Sequence, residues 1–224
     1  VRRPRVPLAI KLADTVWMAV WVPLYWHENG WTNFLWICDF ANFGLFVALW
    51  AESALVATSQ LAGVLVIQTL WTVDFLGALL GGRHLIGGTE YMFDASRPLW
   101  LRGLSLFHIW TVPALVWVVR RLGYDRRGWR LEAAIAAVLL PAGQWLGTRE
   151  QNLNWMWAPF GRSQTWLPPL PFAAIAVVLV TLVLILPGDW ITRRWLARGR
   201  MAPEVLPRPG SGTGARPPRP APDG

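Results

Sequence analysis

A small set of residues in this apolar chain can do chemistry, and their spacing groups them. Cys38, Asp39 and Asn42 fall within about one helical turn, with Cys38 and Asn42 on one face. Gln60 and Asp74, fourteen residues apart, share a face on the next stretch, while Gln68 lies on another. Arg102, Ser105 and His108 step by three along one side of a third stretch. Gln144 follows, and then Asn152 and Asn154 in an Asn-rich segment. A thiol, an imidazole and carboxylates together suit acyl transfer. A thiol needs an adjacent base, and the base needs a group to orient it. His108 is the candidate base for Cys38, and Asp39 or Asp74 the candidate to hold the other ring nitrogen. Arg102 or Asn154 is placed to bind a phosphate or an oxyanion, with Asn42 and Asn152 as further substrate contacts. The expected reaction is acyl transfer from a phospholipid through a Cys38 thioester.

Each residue also has a plainer role. A lone buried Cys packs as a small hydrophobe. Asp39 and Asp74 can be structural, hydrogen-bonded to Asn42, Thr72 or Arg102. A single His in a helix is often a satisfied packing residue. Metal hydrolysis would draw on His27, His84 and His108 with Asp39, Asp74 and Glu90, but no HxxxH or HxxE spacing occurs. One cysteine excludes an internal disulfide and a multi-cysteine metal site. No metal and no cofactor is expected. The segment GGRHLIGGTEYMFDASRP is Gly-rich but lacks the P-loop lysine and spacing.

The elements that must hold these residues are membrane helices. Of 224 residues, 54% are hydrophobic and 15% charged, against about 25% charged in soluble domains. The apolar residues come in long runs, and the 17 tryptophans suit the boundary of hydrocarbon and headgroups. Five stretches are clear, at about Thr32–Trp50, Ser53–Leu80, Leu99–Val119, Leu131–Leu146 and Leu167–Ile191; Pro141 is a candidate kink in the fourth. A sixth, Leu8–Trp26, carries Lys11 and Asp14 near its start and ends at no signal-peptide cleavage site.

Charge decides the count. With six spans and both termini inside, sixteen Lys and Arg residues fall on cytoplasmic segments and five on outer ones, as the positive-inside rule requires. The expectation is an all-α, multi-pass bundle of about six transmembrane helices over residues 1–199, N-in and C-in, in a bacterial inner membrane. Residues 200–224 are rich in Pro, Gly and Arg and read as a disordered cytoplasmic tail. The net charge of +8 marks topology and not a nucleic-acid partner; the expected partners are the bilayer and a phospholipid substrate, with the oligomeric state open. The alternating spans put Cys38 and Asp74 about six residues below their outer ends and His108 about nine, or roughly 9–14 Å deep.

The strings TNFLWICDFANFGLFVALW, QTLWTVDFLGALLGG, EYMFDASRPLWLRGLSLFH, RRLGYDRR, NLNWMWAPFG and QTWLPPL, spanning most of Trp31–Leu196, resemble an uncharacterised bacterial family of polytopic "membrane-associated" proteins. More distantly, the order of elements is similar to the YwaF-like bacterial membrane proteins and to their vertebrate relative, the acyltransferase that makes ether phospholipids (plasmalogens). The matching elements are Ile37-Cys38-Asp39, Val73-Asp74, His108 to Pro113, and Asn152 to Trp155. That resemblance implies Cys38 as nucleophile and His108 as base. The competing reading is a non-enzymatic carrier or a subunit of a membrane complex, with Gln60, Asp74 and Arg102 lining a polar path.

Overall fold

The computed structural model describes residues 6–199, and every regular element among them is helical. The expected tail lies outside the described residues. α1 is Leu8–Asn29, α2 Ile37–Trp50, α3 Ala54–Gly81, α4 Leu99–Leu104, α5 Phe107–Leu122, α6 Gly128–Leu146, α7 Pro169–Val180 and α8 Leu186–Gly199. Four stretches are long and apolar enough to cross a membrane: α1, α3, Leu99–Leu122 and Pro169–Leu196. α2 is a shorter apolar helix of 14 residues, and α6 has 19.

Local sequence accounts for the helix ends. Gly30, at φ 78°, closes α1. The expected start of the second span at Thr32 is a short 3-10 turn, Trp31–Leu35, and α2 begins only after the extended Trp36. Ser53 caps α3 by accepting from the Val56 N–H at 3.3 Å, and Gly82 ends it in the left-handed region. The Leu99 stretch breaks at Ser105–Leu106 into α4 and α5. Between α7 and α8, Thr181–Ile185 forms a π-helical turn. Pro187, just beyond it, has no N–H to donate and a ring that clashes with the carbonyl four residues back, and the wider turn relieves both.

α3 is the central post, packed on α2, α5, α6 and α8. Contact across its grooves is close where residues are small, as membrane helices pack. A Cβ on Gly188 of α8 would lie 2.5 Å from the Ala62 carbonyl oxygen of α3. Trp21 is fully buried among Tyr25, Phe34, Phe43 and Phe107, with ring centroids 4.8–5.9 Å away. It belongs to the core and not to the interfacial belt assigned to tryptophans from sequence.

Hydrogen bonds sort the connections into two ends. At one, the basic end, the Val6 N–H and Lys11 Nζ both donate to Glu52, at 3.2 and 2.8 Å. Asp125 N–H donates to Thr58 and Tyr124 to Asp189 there. At the opposite, loop end, Gln151 reaches Thr32 and the Asn29 carbonyl, and Asn154 reaches Leu35 and Ile37. α1 therefore starts beside the α2–α3 turn and finishes among the loops, in step with the other long helices.

Candidate functional site

Cys38 stands in the first turn of α2, half-buried. Its thiol lies beside the amide of Gln68 on α3 and the carboxylate of Asp39. Gln68 is 0% exposed, and neither its Oε1 nor its Nε2 has a hydrogen-bond partner. Each such group forfeits about 1–3 kcal/mol when left unpaired in a dry interior. One residue along, Asp39 accepts from Asn33 Nδ2 at 2.5 Å. Asn42 donates to the Asp39 carbonyl at a long 3.5 Å, and its own Oδ1 is unpartnered.

Further groups come from α3, α5 and the loop of residues 82–98. The Trp71 ring stacks on His108, with centroids 4.4 Å apart. His108 Nδ1 lies 2.7 Å from the Ser105 carbonyl oxygen. A carbonyl can only accept, so Nδ1 carries the proton and Nε2 of the neutral ring presents a lone pair. The Ser105 hydroxyl pairs with Tyr25 at 2.5 Å. Tyr91, from the turn Glu90–Met92, comes beside Ser105 and Trp71 and within electrostatic reach of Cys38 and Asp39. Burial pushes its phenol up from the ordinary value, so it stays a neutral donor.

Several residues nominated from sequence do other work. Asp74 does not orient His108. Its Oδ1 accepts from the backbone N–H groups of Leu85, Ile86 and Gly87 at 2.6–2.9 Å. Its Oδ2 accepts from the Thr89 hydroxyl and meets His84 Nδ1 at 3.0 Å. Both oxygens are thus spent on folding the Gly-rich loop over the end of α3. Arg102 donates to the Met92 carbonyl at 3.0 Å and ties down the same loop. Asn152, at φ 44°, accepts from the Trp157 and Ala158 N–H groups and donates to the Ala158 carbonyl. Asn154 accepts from Ile37 N–H at 3.0 Å and donates to the Leu35 carbonyl at 2.8 Å, clasping the start of α2.

Cys38 and His108 border one aromatic-walled region, but no hydrogen bond joins them among the described residues. No group of three or more His, Cys, Asp or Glu side chains there is arranged to hold a metal ion. The site's other members, Gln68, Trp71, Tyr25 and Tyr91, carry no sequence pattern that marks them. Gln68 lies on a different face of α3 from Gln60 and Asp74, yet its depth on α3 matches that of Cys38 on the antiparallel α2. Tyr91 carries no local signal, because only the Asp74-held loop brings it inward.

A groove of about 660 Å³, almost wholly apolar, runs beside this region, lined by Trp26, Trp31, Phe34, Phe40, Phe43 and Leu139 among others. Phe34 and Phe43 also pack in the cluster that contains Cys38. A second groove lies at the basic end, between Lys11, Trp50 and Glu52. Neither is lined by Cys38, Asp74 or His108. No family model, no curated protein and no solved structure matches this chain.

Proposed function

We propose that this is a six-span, N-in and C-in protein of a bacterial inner membrane whose outer-half site receives the polar end of a phospholipid. The observation that carries the reading is the fully buried Gln68 amide, unpartnered on both atoms beside the Cys38 thiol. A guest with an ester or phosphodiester group supplies the acceptor that its N–H groups lack. The apolar groove along Phe34 and Phe43 gives an acyl chain a place next to that polar end. The likeness to the YwaF-like proteins and the plasmalogen-forming acyltransferase supports the same substrate class.

The chemistry proposed on that guest is acyl transfer. The Cys38 sulfur attacks the ester carbonyl carbon while its proton passes to His108 Nε2. The C–O bond then breaks, the lysolipid oxygen takes the proton, and a thioester remains on Cys38 for an acceptor hydroxyl to attack. Incubation with a radiolabelled phospholipid should leave a hydroxylamine-sensitive label on the wild type and none on Cys38→Ala. His108→Ala should slow labelling by about 10² to 10⁴. That no hydrogen bond joins Cys38 and His108 among the described residues favours a second reading, a carrier that binds lipid without reacting. Lipid binding that needs Gln68 and is indifferent to Cys38→Ala, with no label formed, would select it. Orientation has its own test. In a Cys38→Ala background, Arg162→Cys should react with an impermeant maleimide from outside and Arg126→Cys should not.

A further inference from the structure

Glu132 is the acidic residue of α6, one turn from its basic-end start and 1% exposed. Its Oε2 accepts from Ser59 Oγ at 2.7 Å and from Gln60 Nε2 at 3.0 Å, both on α3. Among the described residues no cationic side chain forms an ion pair with it. Gln60 Oε1 is buried beside it and has no partner. The space is cleared by glycines: a Cβ on Gly63 would fall 2.2 Å from Glu132 Oε1, and one on Gly44 2.3 Å from Gln60 Cγ.

We propose that Glu132, Ser59 and Gln60 form a proton-binding site within the bundle that exchanges with the basic end. An unpaired charge in a membrane interior is expensive and marks a functional position. Two neutral donors reduce that expense, and a bound proton removes it. Both partners are built for either state, since a hydroxyl and a primary amide each donate and accept. With the carboxylate ionised, Ser59 O–H and Gln60 N–H donate to it. With a proton bound to a carboxylate oxygen, the new O–H donates to Gln60 Oε1 and supplies that atom's missing partner. The step makes one O–H bond on the carboxylate and breaks one O–H bond of a hydronium ion at the basic end, which is left as water. Thr58, one residue before Ser59, accepts from the Asp125 N–H of the loop at 3.1 Å, so polar groups continue to the surface.

Other charges on the packed elements are accounted for. α6 itself carries Arg130. α8 carries Asp189, which pairs with Arg193 at 2.7 Å and accepts from Tyr124, and Arg194. α5 carries Arg120 and Arg121 at its basic end, while the charged residues of α2 and α3, Asp39 and Asp74, lie toward the loop end. The site does not depend on the lipid reading: Gln60 and Gln68 are separated by about 12 Å along α3.

The test is infrared difference spectroscopy on the full-length protein in liposomes, following the carboxylic acid C=O band from about pH 4 to 10. A band that titrates with a single midpoint and is absent in Glu132→Gln is the expected result. Ser59→Ala, which leaves the carboxyl in place, should displace that midpoint by about one pH unit. Helix content and monodispersity of each variant establish that it folds. No band assignable to Glu132 at any pH, a band that never titrates, or a midpoint unmoved by Ser59→Ala would overturn the proposal. Glu132 would then be a helix-to-helix bridge alone.

Discussion

Replacing Gly188 with alanine tests the packing of the bundle at the tightest glycine-to-backbone contact among the described residues. The added Cβ would sit 2.5 Å from the Ala62 carbonyl oxygen, 3.3 Å from its carbon and 3.4 Å from its Cα. These are backbone atoms inside α3, so no side chain can swing aside. α8 must withdraw by several tenths of an ångström, loosening its contact along the central helix. Overpacking of this kind costs about 1–3 kcal/mol, offset by up to about 1 kcal/mol from the better helix propensity of alanine. Gly103→Ala is the matched control, because a Cβ there meets nothing within 4 Å, and it should be neutral or stabilising by up to about 1 kcal/mol. Denaturation by SDS in mixed micelles, followed by circular dichroism, should separate the two variants by about 1–3 kcal/mol. A Gly188→Ala protein as resistant as Gly103→Ala would refute the close packing of α3 and α8.

Three further outcomes follow from single contacts. Asp74→Ala orphans three backbone N–H groups of the loop, so trypsin should cut after Arg83 faster than in the wild type; equal rates would deny Asp74 its structural role. Asn154→Ala removes both hydrogen bonds of the clasp on Leu35 and Ile37 and should lower stability by about 1–3 kcal/mol, measured by the same SDS titration. The Arg127 guanidinium beside Asp125 holds that carboxyl down to about 2 from 3.8. Its depressed value means the pairing is fully present above about pH 4 and fades as pH falls through about 2. Arg127→Ala should return the Asp125 carboxyl, followed by carbon-13 NMR, toward 3.8; an unmoved titration would remove Arg127 as the cause.

Composition and the lengths of apolar runs were enough to establish membrane helices, because hydrocarbon admits little else than a helix that satisfies its own backbone. The α3 boundaries were legible for a local reason: Ser53 and Gly82 are capping residues whose effect reaches only one turn. The short α2 was not. Its start is set by Asn154, more than a hundred residues away, holding the Ile37 N–H. The candidate site divides along the same line. Cys38 and His108 were visible as residue types at matched depth. What each polar side chain faces depends on helix rotation and loop folding, which periodicity within one segment does not encode. Asp74 therefore read as a catalytic partner when it folds a loop. Gln68, on the wrong face of its own helix for Gln60, faces Cys38 across the α2–α3 contact. Glu132 lay unmarked in a short span until Ser59 and Gln60 met it. The pairing of polar groups is a property of the packed interfaces, and only the tertiary structure decides it.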